Sequence, residues 1–245
     1  EYLHEDYRAI DPKGIAKLEA RGRKRHNQAC KRIFAAAALD IVIGDDRTIA
    51  IEGLSAWTER EHGDEQAVVE GLLDHIRFRP DHRVVTYGGL AAELPLLTLA
   101  AMQYGLLLPD QLRGNQRVRY GEMRPHLDLA LELKGQGREW AHLSEIGLRM
   151  GLPRDLFIGK TEVEFPQTGQ DWIEMCRHVS CDVVLTAMVT LAWLRVQGRI
   201  SIDVPSALYQ LAYWFLRRTG DETRMAAPLA QLCIQISEQL AADVT

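Results

Sequence analysis

A histidine and an aspartate four residues apart are the side chains of this sequence best placed to do chemistry together. His178 and Asp182 lie in the stretch that begins at Trp172, and on a helix this spacing projects both side chains in nearly the same direction. One metal ion or one attacking water could contact both. The apolar continuation from Val183 to Leu194 predicts that the helix enters the core, which would place the pair at the edge of a cleft. The alternative is that His178 packs and Asp182 only solvates its face of the helix.

A further acidic residue follows a pair of glycines. The segment from His82 onward reads as a short strand that ends at Gly88 and Gly89, and Glu93 then opens a helix with a proline in its first turn. Strand, glycine turn and helix in this order deliver side chains to the carboxyl end of a sheet. We therefore expect Glu93 at that edge, although an acid in the first turn of a helix is also favoured by the helix dipole alone.

Basic residues in three regions are candidates for contact with a phosphate backbone. One cluster lies in the N-terminal arm, one in a loop that contains glycine and asparagine, and one lysine lies in a later loop. The candidate nucleic-acid-binding residues are Arg23, Lys24, Arg25, Arg117, Arg119 and Lys160. A basic cluster of this kind more commonly belongs to a solvated or disordered arm that binds no phosphate.

The bulk composition is typical of a globular protein. The chain has 245 residues, 47% of them hydrophobic, which is enough to fill a substantial core. A formal charge of -5 argues against nucleic-acid binding by net charge but leaves room for a local basic patch. We find no apolar run of the roughly 18 residues that span a bilayer and no signal-peptide pattern, so we expect a cytoplasmic protein.

Hydrophobic periodicity and turn residues predict an α/β fold. We expect two strands over residues 33–43 and 48–54, joined by a tight turn, and then a helix capped by Asp64. Another helix is expected to begin at His126, with Asp128 in its first turn. Further helices are predicted over residues 143–150, 172–198, 207–217 and 226–241. In domain terms, we expect a basic arm over residues 1–30, a domain over 31–200 and a C-terminal helical extension over 201–245.

Four segments, taken in order, resemble one family of nucleases. They are Val84 to Leu97, His126 to Leu129, Leu143 to Pro153 and Arg177 to Thr186. Together they resemble the predicted 3'-5' exonucleases related to the proofreading domain of family B DNA polymerases, which are DEDD exonucleases. The resemblance covers about residues 31–200. It implies a ribonuclease-H-like mixed sheet flanked by helices, followed by a C-terminal helical appendage.

The resemblance implies roles for three residues. Glu93 takes the position of the second-motif aspartate, and Asp182 that of the last aspartate, so both are expected to bind metal. His178 takes the position of the tyrosine that positions or activates water. Enzymes of this kind use two divalent cations, and carboxylates suit Mg²⁺ or Mn²⁺ because both are hard cations.

The chain also departs from the family pattern. Gly88 stands where asparagine is expected, and Ala92 where phenylalanine is expected. Glu93 and His178 are themselves substitutions for aspartate and tyrosine. The extra methylene of Glu93 lengthens its side chain by about 1.5 Å, at a kind of site where ligand distances are held within a few tenths of an ångström.

The largest departure concerns the first motif, Asp-x-Glu, which supplies two of the four carboxylates in this family. Asp40 opens the one superficial match, but Val42 stands where glutamate is required. The segment from Lys31 to Asp46 instead resembles the family's second strand and turn. The first strand is therefore expected either upstream of Glu1 or to have been lost.

Two functions remain open from the sequence. The first is a metal-dependent 3'-5' exonuclease that acts on the 3' ends of single-stranded DNA or RNA. The alternative is a catalytically degenerate exonuclease fold that serves as a nucleic-acid-binding or protein-partner module. Aromatic residues of the C-terminal helices could form a surface for a homo-oligomer or a protein partner, or pack against the domain. They are Tyr209, Tyr213, Trp214 and Phe215.

Overall fold

A computed structural model describes residues 12–20, 31–114, 124–134, 137, 139–157, 165–219 and 225–242. Within these ranges the protein is mixed α/β, with four strands and nine α-helices. The chain divides into two compact units. The first comprises Glu1–Ala36 and Trp57–Asp128, and the second comprises Ala37–Ala56 and Leu129–Thr245. Each unit has its own cluster of buried apolar side chains.

The predicted pair of strands near the start of the chain is confirmed. Strand β1 spans Ala35–Ile43 and strand β2 spans Ile49–Thr58, and the two are hydrogen-bonded neighbours in one sheet. Gly44 N donates to Thr48 O at 3.0 Å, which closes a turn too short for anything but an antiparallel connection. The four alanines that open β1 adopt strand rather than helix, because pairing with β2 overrides their helix propensity.

The described part of the first unit holds four α-helices, and the sequence predicts the two that begin after Asp64 and at Glu93. Helix α1 spans Pro12–Glu19, α2 Glu59–His62, α3 Glu65–Arg77 and α4 Glu93–Tyr104. The predicted cap of α3 is confirmed, since Asp64 accepts a hydrogen bond from Ala67 N at 2.9 Å. Helices α3 and α4 supply the buried core of this unit with Val69, Leu73, Leu97 and Ala100, joined by Leu112.

A buried glutamate fixes the chain just before β1. Glu65 is 9% exposed, and its carboxylate accepts from Ile33 N at 2.7 Å and from the Tyr104 hydroxyl at 2.9 Å. Burial, followed by this hydrogen bond, raises the pKa of Tyr104 to about 12. Glu65 therefore meets the general rule that a buried carboxylate is hydrogen-bonded.

The segment expected to begin a helix at His126 begins instead as a strand, and the helix starts at Leu129, so the predicted start is wrong. Strand β3 spans Val84–Thr86, and β4 spans His126–Asp128. They pair in parallel with Val84 opposite His126 and Thr86 opposite Asp128. This long-range pairing buries Leu127 at 7% exposure and decides the local structure. Helix α4 lies in the crossover that a parallel pair requires.

The side chain of Asp128 holds the glycine turn that follows β3. It is 4% exposed, and its two carboxylate oxygens accept from Gly88 N at 2.8 Å and from Leu90 N at 2.9 Å. Gly88 has φ +79, and a Cβ on Gly89 would collide with the side chain of Thr86. Both glycines are therefore required by the turn, one for its backbone conformation and the other for its close approach.

His126 packs beside the same turn. Thr86 Oγ1 lies within hydrogen-bonding distance of His126 Nε2, at 2.9 Å. Burial lowers the pKa of His126, and the negative charge of Asp128 opposes this effect only in part. The neutral imidazole is thus the form that the folded first unit favours.

The second unit is mainly helical. Its helices are α5 over Leu129–Lys134, α6 over Leu143–Arg149, α7 over Gly169–Val196, α8 over Val204–Thr219 and α9 over Ala226–Ala242. The last three confirm the long helix and the helical pair predicted at the C-terminal end of the chain. Their most deeply buried side chains form the core of the unit and include Leu185, Met188, Leu211, Phe215 and Leu229.

Helix α7 begins at a well-defined capping box. Thr168 Oγ1 accepts from Asp171 N at 3.2 Å, and Asp171 accepts in return from Thr168 N at 2.8 Å. The pKa of the Asp171 carboxyl is lowered, chiefly because the backbone N–H of Thr168 donates to it. The cap fixes the first turn of the helix that carries His178 and Asp182.

By length and composition alone, α7 could cross a membrane. The mean hydropathy of its most apolar 18-residue window is 1.6, and half of that window is buried inside the protein. The core helix of a soluble protein passes the same test. Its buried residues, such as Val184 and Met188, belong to the apolar core of the second unit, which accounts for this composition.

The aromatic residues of α8 divide between core and surface. Phe215 is 1% exposed and packs in the core, whereas Tyr213 is 47% exposed. The rings of Tyr209 and Tyr213 stack with centroids 5.9 Å apart, and the Arg218 guanidinium lies 5.5 Å from the centre of the Trp214 ring. Packing against the domain therefore accounts for Phe215.

We expect the half-buried imidazole of His126 to make the protein sensitive to mild acid. The folded pKa lies below the ordinary value of about 6.5, so the unfolded chain binds the proton more readily. Stability is then lost as the pH falls through and below this ordinary value. His126→Gln should show a smaller drop in melting temperature between pH 7.5 and about pH 5.5. An equal drop in wild type and variant would contradict this, and the exposed His142 serves as control through His142→Gln.

Removing the cap of α7 should lower the stability of the second unit. Thr168→Ala deletes the acceptor of the Asp171 N–H, and we expect the free energy of unfolding in urea to fall by about 1 kcal/mol. Thr98→Ala is the matched control, because Thr98 Oγ1 donates only to Leu94 O within its own helix, an interaction of little value to the helix. Equal effects of the two changes would argue against the cap.

Candidate active site

Helix α7 brings His178 and Asp182 together on its exposed side. His178 Nε2 lies 3.5 Å from Asp182 Oδ2, and the two side chains are 32% and 39% exposed. The neighbouring residues Cys181, Val184 and Leu185 are buried. The four-residue spacing thus produces the common direction expected of it, with the polar pair reaching solvent beside the buried side of the helix.

The pair can act on a single small species. At 3.5 Å the two side chains can form an ion pair when the imidazole is protonated, and a water can reach both atoms when it is neutral. Two ligands about 2.1 Å from a cation and adjacent to each other in octahedral geometry are about 3 Å apart. The observed separation is close to this value. Two donors make a partial coordination shell, so other ligands are required.

The acidic residue one turn earlier already has partners on its own helix. Glu174 accepts from Arg177 Nη1 at 2.8 Å and from Gln170 Nε2 at 3.1 Å. Its side chain is 52% exposed. Glu174 is therefore a carboxylate on α7 whose interactions are local to the helix surface.

Glu93 is the first residue of α4 and is exposed. The predicted order of strand, glycine turn and helix is confirmed, since β3 ends at Thr86 and α4 begins at Glu93. Ala92, at the N-cap, makes no side-chain hydrogen bond to the helix. Glu93 belongs to the first unit, and His178 and Asp182 belong to the second. The convergence of these three side chains on one cation stays a prediction.

The superficial match to the first motif lies in β1. Asp40 is 9% exposed, whereas Val42, two residues later, is 38% exposed. An exposed valine therefore occupies the position where the motif requires its glutamate. The two explanations for the missing first motif, an upstream strand or its loss, stay predictions.

The candidate nucleic-acid-binding residues Arg23, Lys24, Arg25, Arg117, Arg119 and Lys160 lie outside the residues that the structure describes. Among the described ranges, no group of three or more histidine, cysteine, aspartate or glutamate side chains is arranged to hold a metal ion. The donors that fit a hard cation are the carboxylates of Asp182 and Glu93.

Sequence reasoning missed the role of Asp128. It was read as an acid in the first turn of a helix, but it ends β4 and binds the backbone of the glycine turn. One signal was present in the sequence, because Asp128 stands between Leu127 and Leu129 directly after a proline-bounded segment. An acid flanked by two buried leucines requires hydrogen-bond donors nearby.

Comparison with known proteins gives one family. A search of the curated proteins finds no match. The model of one protein family, described as a predicted 3'-5' exonuclease related to the exonuclease domain of PolB, matches residues 25–231. This match includes β3, β4 and α7 and continues past residue 200 through α8. The chain therefore belongs to the family of predicted 3'-5' exonucleases related to the exonuclease domain of PolB.

Proposed function

We propose that this protein is a metal-dependent 3'-5' exonuclease that removes nucleotides from the 3' ends of single-stranded DNA or RNA. Membership of the family over residues 25–231 carries the proposal. The contact between His178 and Asp182 at 3.5 Å supports the assignment of roles within α7. The proposed fold is ribonuclease-H-like, supported by the parallel pair of β3 and β4 and by the hairpin of β1 and β2.

The proposed metal is Mg²⁺ or Mn²⁺, with Glu93 and Asp182 as ligands. A carboxylate oxygen suits either ion, and both side chains reach solvent. When bound, the metal would supply charge neutralisation at the scissile phosphodiester. Further ligands would be needed to complete the coordination shell.

The proposed general base is His178. A neutral imidazole accepts a proton from water at physiological pH, and it must lie within hydrogen-bonding reach of that water. Asp182, the proposed metal ligand, has its carboxylate 3.5 Å from His178 Nε2. The imidazole would therefore lie beside the bound metal. Proton transfer and metal binding would thus be coupled through one turn of α7.

Contacts with the nucleic-acid backbone and with other proteins would lie away from the reacting atoms. Basic residues of the arm and loops would bind the phosphate backbone as a local patch on a chain whose formal charge is -5. The α8 and α9 helices would offer a surface to a second copy or to a protein partner, and the exposed Tyr213 is the aromatic residue best placed to contribute to it. The proposed location is the cytoplasm.

The central test is cleavage of a single strand labelled at its 5' end. With Mn²⁺ we expect a ladder that shortens from the 3' end, and excess chelator should abolish it. Asp182→Asn should lower the rate by at least about 100-fold, because it removes a charged ligand of the metal. Glu174→Gln, which changes a more exposed acid on the same helix, should cleave like the wild type. Binding without cleavage by the wild-type protein would refute the exonuclease, and full activity of Asp182→Asn would refute the assigned role.

The role of His178 has its own signature in the dependence of the rate on pH. A base must be unprotonated to act, so the wild-type rate should rise as the pH is increased from acid. His178→Gln should lower the rate by about 100-fold or more and flatten this rise. A variant that keeps the wild-type pH dependence would show that another group accepts the proton.

A further inference from the structure

We infer that Asp128 is a positioning residue for the proposed metal site, because its buried carboxylate fixes the turn from which Glu93 emerges. The inference rests on the proposed role of Glu93 as a metal ligand. It concerns a residue that would contact neither the metal nor the nucleic acid. Asp128 would act through two backbone amides, and its effect would be on metal affinity.

Asp128 binds the turn through both oxygens of its carboxylate. Oδ1 accepts from Gly88 N at 2.8 Å, and Oδ2 accepts from Leu90 N at 2.9 Å. Both oxygens of one carboxylate are thus bound to amides two residues apart, which fixes the orientation of the turn as well as its distance. Hydrogen bonds to a charged acceptor are stronger than those between neutral groups, and Asp128 is 4% exposed.

Backbone hydrogen bonds connect the glycine turn to the residues on either side of Glu93. Gly88 O accepts from Ala91 N at 3.0 Å and from Ala92 N at 3.2 Å, and Gly89 O accepts from Leu94 N at 2.7 Å. The backbone on both sides of Glu93 is therefore bonded to the glycines. Any displacement of Gly88 or Gly89 is passed on to the residue that precedes Glu93 and to the one that follows it.

The N-terminus of α4 has no side-chain cap. The N-cap residue Ala92 has no side-chain acceptor that could cap the helix, whereas α3 is capped by Asp64 and α7 by Thr168. The backbone hydrogen bonds to Gly88 and Gly89 therefore hold the first turn of α4 in place of a side-chain cap. Asp128 is consequently the side chain that determines where α4 begins.

A ligand that is displaced by a few tenths of an ångström binds metal less well, and the loss of a group that orients a ligand typically weakens metal binding by about 10- to 100-fold. Asp128→Asn is almost isosteric, but its amide group presents N–H donors to one of the two backbone N–H groups. We expect this change to release one end of the turn while the sheet remains paired.

The experiment compares Mn²⁺ affinity with the hydrogen exchange of the turn amides in the full chain. Mn²⁺ binding is followed by the electron paramagnetic resonance signal of the free ion, and exchange by NMR or by mass spectrometry of peptides covering residues 84–94. In Asp128→Asn, we expect Gly88 and Leu90 amides to exchange at least about 10-fold faster, and the Mn²⁺ dissociation constant to rise about 10- to 100-fold.

Two further variants separate positioning from ligation and from general stability. Glu93→Gln should lose Mn²⁺ affinity but keep slow exchange at Gly88 and Leu90. Glu65→Gln is the matched control, because Glu65 is a buried carboxylate of the same unit that also accepts two hydrogen bonds. It should lower the melting temperature and leave Mn²⁺ affinity unchanged. Equal losses of affinity in Glu65→Gln and Asp128→Asn would reduce Asp128 to a stabilising residue and overturn the inference.

Gly88→Ala gives an independent test if Asp128→Asn fails to fold. A Cβ at Gly88 meets no atom within 4 Å, so the change strains only a backbone with φ +79. It should raise the Mn²⁺ dissociation constant in the same direction as Asp128→Asn. Wild-type affinity in a variant whose turn exchanges faster would overturn the inference. Absence of Mn²⁺ binding by the wild-type protein would instead refute the proposed function on which the inference rests.

Discussion

Burial of one side of α7 is the constraint that sets the direction of the candidate site. The helix contributes Val184, Leu185 and Met188 to the core of the second unit, each with at most 1% exposure. Apolar side chains that must leave water fix the rotation of a helix about its axis. Once that rotation is fixed, His178 and Asp182 must lie beside the buried side, within reach of solvent. The chemistry proposed for the pair is therefore a consequence of how the helix is packed.

The first unit uses buried carboxylates to organise its backbone. Glu65 binds the segment that leads into β1, and Asp128 binds the turn that leads into α4. A buried charge is costly unless donors surround it, so each of these acids is stable only when its loop is in place. The dependence is mutual, because the loop amides would otherwise lack acceptors. Each acid thereby specifies one loop conformation.

Local patterns in the sequence were sufficient for much of the fold. The hairpin turn after β1, the Asp64 cap and the long apolar run of α7 are all signals that act within a few residues, and the structure confirms these elements. The four-residue spacing likewise predicted the approach of His178 to Asp182. The segment from His126 was misassigned because its structure depends on pairing with Val84 to Thr86, about 40 residues earlier. No local propensity carries that information.

The same separation along the sequence limits which contacts of the site residues can be predicted. The importance of Asp128 depends on amides that it meets only in the folded chain, so its residue type and its neighbours in sequence do not reveal its partners. Glu93 was located correctly at the start of a helix, since glycines and a proline mark that boundary locally. Its relation to the pair on α7 involves two separate units, which sequence periodicity does not connect.

The interleaving of the two units along the chain has a consequence for biosynthesis. The glycine turn emerges from the ribosome well before Asp128, which follows Gly88 by 40 residues. Until then, α4 has no fixed starting point. Folding of the second unit is delayed further, because its residues 37–56 are synthesised early and its helices all follow Asp128. Contacts between segments so far apart in sequence form slowly, since the intervening chain must first be closed into a loop. The early hairpin therefore lacks its packing partners until the helices after Leu129 have been synthesised, and apolar surface exposed in this way is what chaperones bind.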